Sequence, residues 1–372
     1  MKKYIIAIFL FFFFGSGVGL AAELHQDEQG VIQAEVKKVI SEELKNIPGT
    51  DAPAFYQTIE VELLTGDAIG RRIILEDDFI KLEVGDKVFL RYLKTIDGDE
   101  IFSVAEPDRR GALVFFVGLF FLAIIVLAGW QGLRAIASLV GGFLVIYYVL
   151  FPLLLAGTSP VLLSSVTACL ILTIAIYATH GFNREATAAL LGTVITIVIT
   201  GLLAAWAVSL TRLTGFSGDE SVFLNFNTGG TLNFQGLLLA AIIIGVIGVL
   251  DDIAITQAAT VAEMHSAAPH LTRRELYLRV LRIGREHVVA LVNTLVFAYV
   301  GASLPLLLLF YLSVEPVGFI LNRELFAGEI IRTVVGSISL IMTVPLTTVI
   351  AVFLLYGRPR SPAPKTNHHH HH

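Results

Sequence analysis

Cysteine and charged residues are the scarce components of this sequence. The single cysteine, Cys169, excludes an intramolecular disulfide and any multi-cysteine metal site. Only 15% of the residues are charged, against about a quarter in a typical soluble domain, whereas 55% are hydrophobic. The chain therefore cannot be wholly a soluble globular protein.

The common enzyme motifs are also missing. The sequence has no Gly-x-x-x-x-Gly-Lys-Ser/Thr loop for phosphate, no Gly-x-Ser-x-Gly elbow and no His-Glu-x-x-His helix. Five of the ten histidines form the terminal run 368–372, which is typical of an expression tag, and the others have no metal-ligand spacing. We therefore expect neither enzymatic activity nor a cofactor.

Charge is distributed unevenly along the chain. Residues 22–110 hold 20 of the 31 acidic residues and 11 of the 26 basic ones, and apolar runs fill most of the chain after residue 110. This pattern predicts a soluble acidic module attached to a membrane domain. No basic cluster interleaved with aromatic residues is present, so we expect no nucleic-acid partner.

The N-terminal segment 1–22 has the composition of a secretory signal peptide. Lys2 and Lys3 precede an apolar run, and small residues follow it, so cleavage after Ala21 or Ala22 is expected. An uncleaved anchor helix is the alternative, because the apolar stretch is almost long enough to span a bilayer. Both interpretations place the next segment outside the cytoplasm.

Residues 23–109 are predicted to form a mostly β domain that folds by itself. Residues 58–64 alternate with period two, and turn signals such as Asp97-Gly98 separate the apolar runs. About five short strands in 80 residues indicate a small β-barrel of the OB or a related kind.

The remainder, 110–356, is predicted to be an α-helical polytopic membrane domain, followed by a cytoplasmic tail at 357–372. Seven spans are expected, at 112–130, 135–156, 160–179, 187–209, 236–256, 288–311 and 329–355. With the β domain outside, ten lysines and arginines of the connections and the tail fall on the inner side and two on the outer side. This asymmetry favours an extracytoplasmic β domain and a cytoplasmic C-terminus in the plasma membrane.

Two connections between spans are long. The outer one, Thr211 to Phe234, is rich in asparagine and glycine, and it is either a lid over an entrance or a solvated crossover. The inner one, His265 to Glu286, contains a basic helix that is expected to lie against anionic membrane lipid.

The fifth span contains two adjacent carboxylates, Asp251 and Asp252. A carboxylate at the centre of a span costs about 2.5–3.5 kcal/mol on insertion scales. The presence of two carboxylates in one span therefore requires a functional or structural explanation. Helical spacing places Asp252 on a stripe of small and polar residues, and Asp251 about 100° away from it. The stripe consists of Ala241, Gly245, Gly248, Asp252, Thr256, Thr260 and Glu263. The pair is either a proton or cation site, or a structural pair in which Asp252 binds an arginine such as Arg285 or caps a broken helix inside the bundle.

Other polar residues fall within or beside the spans. Glu329 and Arg332 lie one turn apart in the seventh span and can pair, as a structural ion pair or a gate. The same span carries a polar stripe through Ser339, Thr343 and Thr347. Gln257 in the fifth span and Asn293 in the sixth complete the candidate ion-binding residues.

Several ordered motifs in the membrane domain resemble the YibE/F family of polytopic bacterial membrane proteins. The motifs are Gly248 to Ala258, Arg282 to His287, Asn293 to Leu295, Gly301 to Pro305, Glu329 to Arg332 with Gly336-Ser337, and Pro345 to Thr348. The resemblance covers most of residues 110–355. It implies a polytopic cell-membrane protein but supplies no biochemical activity.

The first functional hypothesis is a transporter or channel-like permease for a small ion. Asp252 would be the central site, modulated by Asp251, with Glu263 at the inner exit. Thr256, Asn293 and Thr343 would add oxygen ligands of the kind that hard cations bind. The rival hypothesis is a non-transporting platform or sensor whose β domain binds an envelope partner. Membrane lipid and a small ion are the expected partners, with a homo-oligomer left open.

Overall fold

The computed structural model describes residues 28–46, 53–66, 68–77, 80–94 and 100–357. The predicted signal peptide and the tail beyond residue 357 lie outside the described residues. The chain divides into two compact units, with the division between Val126 and Leu127.

The N-terminal unit contains a five-stranded antiparallel sheet, which confirms the predicted small β domain. The strands are β1 Glu28–Asn46, β2 Pro53–Leu63, β3 Arg72–Asp77, β4 Lys87–Lys94 and β5 Glu100–Pro107. Their order is β3-β2-β1-β4-β5, with the long β1 at the centre. Arg71, just before β3, pairs with Glu100 of β5, so the outer strands approach each other and the sheet forms a half-barrel.

The alternating pattern places one face of the sheet in a hydrophobic core. Val36 of β1 stands opposite Val61 of β2, and both are fully buried. The core consists of Ala34, Val36, Ile59, Val61, Leu63, Leu75, Leu82, Val88 and Leu90. Successive residues of a strand point to opposite faces, so apolar residues at every second position share one face, and this core follows directly from the sequence pattern.

Asp108 links the end of the β domain to the helix that follows it. Its carboxylate accepts hydrogen bonds from Arg110 Nε at 2.8 Å, from Arg110 Nη2 at 2.7 Å and from Gln33 Nε2 at 2.7 Å. The bond from the Arg110 guanidinium lowers the pKa of Asp108, against the opposing effect of partial burial. The stability that this link contributes is therefore present above the unfolded-state pKa and is lost in acid, as the pH falls through the lowered value.

Gln57 of β2 is a buried polar residue whose side chain pairs with the backbone of Leu82. Its side-chain amide donates to the Leu82 carbonyl at 2.7 Å and accepts from the Leu82 N–H at 2.9 Å. The amide thus satisfies both backbone groups of Leu82, which is itself buried in the core.

We expect Gln57→Ala to destabilise the β domain by about 2–4 kcal/mol, because it leaves two buried backbone groups of Leu82 unpaired. Thermal unfolding of a fragment 23–109, followed by circular dichroism, measures the change. The wild-type fragment should give a β-type spectrum, and a helical spectrum would contradict independent folding of this domain. Gln33→Ala, which removes a peripheral bond to Asp108, is the milder control.

The second part of the chain is helical. The helices are α1 Arg110–Val145, α2 Phe151–Leu155, α3 Pro160–His180, α4 Arg184–Thr211, α5 Asp219–Asn227, α6 Phe234–Ala267, α7 Arg273–Ala302, α8 Leu304–Leu312, α9 Val317–Asn322 and α10 Glu324–Leu355. A π-helical turn, Ile146–Leu150, joins α1 to α2. Asparagine caps α4 and α6, and a Thr272–Glu275 capping box starts α7.

Six helical segments of the described chain are long and apolar enough to cross a membrane, where the sequence predicted seven. The difference lies in the first two predicted spans, which form one helical segment from Arg110 to Leu155. No proline or polar loop separates them. Only Gly129 leaves helical geometry, with φ 53° and ψ −128°, so the two halves meet at a kink.

The core of the bundle lies between α4, α6 and α10. Helix α10 packs against α4, α6 and α7, while α3 packs against α4 and α6. Small residues allow these close contacts: Ala188 and Ala189 of α4 share a buried cluster with Ala254 and Ala258 of α6 and Ala351 of α10.

Candidate functional site

The two aspartates occupy different environments on α6. Asp251 is half-buried, and its Oδ1 atom is shielded from solvent without a hydrogen-bond partner. Asp252 is exposed. Neither carboxylate makes a hydrogen bond or an ion pair with any described residue. The apolar helix therefore carries two adjacent carboxylates to which the described chain supplies no counter-ion.

The stripe that leads to Asp252 lies on the surface of the bundle. Ala241, Gly245 and Gly248 are exposed like Asp252. A methyl group at Gly245 would lie 3.0 Å from the hydroxyl of Tyr299 on α7, whereas one at Gly248 would meet no atom within 4 Å. The glycines thus leave an open strip along α6, bordered by Tyr299, that ends at the Asp252 carboxylate.

Gln257, also predicted as a site residue, is fully buried between α6, α7 and α10. Its Oε1 atom accepts a bond of 3.0 Å from Thr348 Oγ1, and its Nε2 atom has no partner. Gly284 of α7 makes room for this amide, because a methyl group there would lie 2.6 Å from Nε2. Gln257 therefore links three helices, away from the exposed strip.

Thr343 belongs to a line of hydroxyl groups between α4 and α10, which we call the hydroxyl ladder. Its members are Thr196 and Thr200 of α4 and Ser339, Thr343 and Thr347 of α10, all nearly or fully buried. Thr200 Oγ1 lies 2.8 Å from Ser339 Oγ, and Thr343 Oγ1 lies 3.5 Å from Thr196 Oγ1. Thr347 faces Gly192, and its hydroxyl has no partner.

Each of the four close hydroxyls also lies within hydrogen-bond distance of a carbonyl of its own helix, and its single proton can go to only one of these acceptors. Thr196 donates to the Gly192 carbonyl at 2.9 Å, and Thr343 donates to the Ser339 carbonyl at 2.8 Å. Such back-bonding satisfies most of the ladder internally. The α10 side of the ladder was predicted as a polar stripe. The α4 side was missed, although its threonines at positions 193, 196 and 200 recur at steps of three and four.

Glu329 and Arg332 form an ion pair of 2.6 Å on α10, with both side chains about one quarter exposed. The Arg332 Nε atom is buried without a hydrogen-bond partner among the described residues. Arg285 is exposed on α7 and pairs with no residue of the described ranges. It therefore provides no counter-ion for the aspartates.

The remaining predicted ligands do not gather around Asp252. Thr256 is half-buried one turn further along α6, Glu263 is exposed, and Asn293 is exposed on α7. Thr343 is fully buried beside α4, in the ladder. Within the described ranges no cluster of three or more histidine, cysteine, aspartate or glutamate residues is placed to hold a metal ion.

A recess of about 660 Å³ opens between the end of α4 and the start of α6. It is lined by Ser209, Arg212, Leu213, Thr214, Phe216, Leu232, Asn233, Phe234 and Gln235. Glu324, the first residue of α10, holds its rim by accepting bonds from the backbone N–H groups of Thr214 and Gly215. Gly215 has φ +79°, and a side chain there would collide with the Phe234 carbonyl. The first part of the predicted outer connection is thus fixed rather than loose.

Comparison with families of known proteins gives one match, over residues 116–357, to the family described as YibE/F-like protein. The match covers the helical part of the chain and confirms the resemblance predicted from its motifs. The family description names no activity or substrate. No curated protein and no solved structure matches the chain.

Proposed function

We propose that the helical domain of this chain, which belongs to the YibE/F-like family, is a permease for a small ion. The observation that carries the proposal is the carboxylate pair of α6. Ionisable groups within a span are expensive and are typical of ion pathways, proton relays and coupling sites. Because Asp251 and Asp252 lack partners among the described residues, a purely structural salt bridge is the weaker explanation.

The two carboxylates take different roles in this proposal. Asp252 stands at the end of the open glycine strip, so it is the group that an ion reaches. Asp251 is more buried and adjacent, so its protonation state modulates the charge that the ion meets. Thr256, one turn further along α6, and Asn293 on α7 stay the proposed additional oxygen ligands, and Glu263 the proposed group of the inner exit.

In this proposal the helical domain crosses the membrane seven times, because the first helical segment is long enough for two crossings. A continuous helix of 46 residues would be about 69 Å long, roughly twice the thickness of a bilayer core. We propose that the kink at Gly129 separates two crossings. The charge asymmetry of the loops supports a β domain outside the plasma membrane and a C-terminus inside it.

We expect cysteines at positions 227 and 266 to react from opposite sides of the membrane. Both positions are exposed, Asn227 at the end of α5 and Ser266 at the end of α6. In a Cys169→Ser background, an impermeant maleimide should label Asn227→Cys in intact spheroplasts and Ser266→Cys only after lysis. Labelling of both variants from one side would contradict the topology.

The β domain is, in this proposal, a small OB-like barrel. The order β3-β2-β1-β4-β5 and the Arg71–Glu100 ion pair between the outer strands support a barrel that is nearly closed. It carries no chemistry of its own, and it acts as an extracytoplasmic module of the permease.

The direct test is ion flux with the purified full chain in liposomes, across a panel of monovalent and divalent cations, protons and anions. The permease predicts flux of one ion class above that of protein-free liposomes. A folded protein that carries none of them would contradict the proposal and favour the rival function, a membrane platform whose β domain binds an envelope partner.

A further inference from the structure

Helix α5, Asp219–Asn227, exposes its largest apolar side chains. Val222, Phe223 and Phe226 fall on one side of this nine-residue helix, together with Asp219 of its first turn. All three are exposed, Phe226 to 85%. The half-buried side instead carries Ser221, Leu224 and Asn225. The largest apolar groups thus point away from the protein, and two of the three inward-facing residues are polar.

Contact with the rest of the described chain does not account for the exposure of these apolar side chains. Helix α5 has no buried residue, and its phenylalanines form no ring contact with other described aromatic residues. In water two exposed phenylalanines on one short helix would be unfavourable, since each leaves a large apolar area hydrated. Some apolar medium must therefore cover this side.

The position of α5 in the chain restricts what that medium is. Helix α4 ends at Thr211 and α6 begins at Phe234, and both are long and apolar enough to cross a membrane. Only residues 212–218 and 228–233 connect α5 to them, so α5 stays near the membrane surface. Trp206, exposed near the same end of α4, is the residue type that concentrates where a span meets the headgroups.

We propose that α5 is an interfacial helix, with Val222, Phe223 and Phe226 inserted at the boundary between lipid headgroups and acyl chains. Helix α5 contains no lysine or arginine and begins with Asp219 and Glu220, so attraction to anionic lipid contributes nothing. The insertion is hydrophobic and should not depend on headgroup charge or salt.

This inference rests on the membrane-spanning helices and not on ion transport. It also replaces both sequence-based interpretations of the outer connection, because a lid would fold over the recess and a solvated crossover would face water. By holding the connection on the bilayer surface, α5 would leave the recess beside Arg212 accessible from the aqueous side.

Tryptophan fluorescence in liposomes tests the insertion. In a background with Trp130→Phe and Trp206→Phe, the full chain carries one new tryptophan as Phe226→Trp, as Phe223→Trp, or as the control Glu220→Trp. Glu220 is exposed in the first turn of the same helix, about 120° around the helix from Phe226. The vesicles contain phosphatidylcholine, with or without bromine on the acyl chains, and with or without phosphatidylglycerol. Aqueous iodide is the second quencher.

Phe226→Trp and Phe223→Trp should be quenched by brominated lipid at least about twofold more than Glu220→Trp, and less by iodide. Salt and phosphatidylglycerol should leave this difference unchanged. The two phenylalanine positions serve as replicates, so one misfolded variant does not decide the outcome. Quenching by iodide equal to the control would show a solvated helix and overturn the proposal. Protection from both quenchers would show cover by protein, a lid or a second copy, and would overturn it equally.

Discussion

Replacing Asp252 by asparagine should reduce ion flux to the level of protein-free liposomes while leaving the fold intact. Asparagine keeps the size of the side chain and removes the charge that would bind the ion. Asp252 is exposed and pairs with no described residue, so the substitution breaks no contact. Its effect on the free energy of unfolding should stay within about 0.5 kcal/mol. Flux in proteoliposomes and the melting temperature in detergent measure the two effects separately.

Two matched variants define the specificity of this result. Asp251→Asn should reduce flux less, because Asp251 modulates the site without meeting the ion directly. Asp219→Asn changes an exposed carboxylate of α5 far from the glycine strip in sequence, and should leave flux unchanged. Normal flux in a stable Asp252→Asn protein would end the assignment of this side chain as the ion site. A joint fall in expression and melting temperature would instead indicate a structural carboxylate.

Gly192→Ala is expected to lower the stability of the helical domain by about 3 kcal/mol, because it overpacks the contact between α4 and α10. A methyl group at Gly192 would lie 2.2 Å from Thr347 Oγ1 and 3.0 Å from the Thr347 Cα atom. The backbone contact cannot be relieved by rotating the threonine side chain. The two helices must therefore move apart, which lengthens the close contacts between the hydroxyl groups of the ladder. We expect a melting temperature about 5–10 °C below that of the wild type.

Gly201→Ala is the control for this prediction, since Gly201 lies on the same helix and is also buried. There a methyl group would meet its nearest neighbours at 3.4–3.7 Å, which is ordinary van der Waals contact. Alanine is favoured over glycine in a helix by up to about 1 kcal/mol, so this variant should be as stable as the wild type or slightly more so. Equal melting temperatures for Gly192→Ala and Gly201→Ala would contradict the close packing of α4 on α10.

The sequence by itself determined that strands come first in the chain and apolar helices follow. Period-two alternation produces a sheet with one buried face, and Val36, Val61 and Val88 fall on that face as the alternation requires. Long apolar runs identify the helices, because only such runs can cross a bilayer with their backbone groups satisfied. The ordered motifs were enough to identify the family. The spacing of Glu329 and Arg332 also predicted an ion pair, since residues one turn apart are neighbours on any helix.

Only the tertiary structure decided which surface of each membrane helix faces protein. Asp252 and Gln257 are both polar residues of one apolar helix, yet the first is exposed and the second is fully buried against α7 and α10. Likewise, the hydroxyl ladder forms only because α4 and α10 lie side by side. The exposure of the phenylalanines of α5 is also visible only in the structure. In a soluble protein the contrast between apolar and polar residues marks the buried side of a helix. A helix surrounded by lipid is apolar on every side, so the periodicity of its sequence does not show which side is buried. The packing of small residues against particular neighbours decides its orientation.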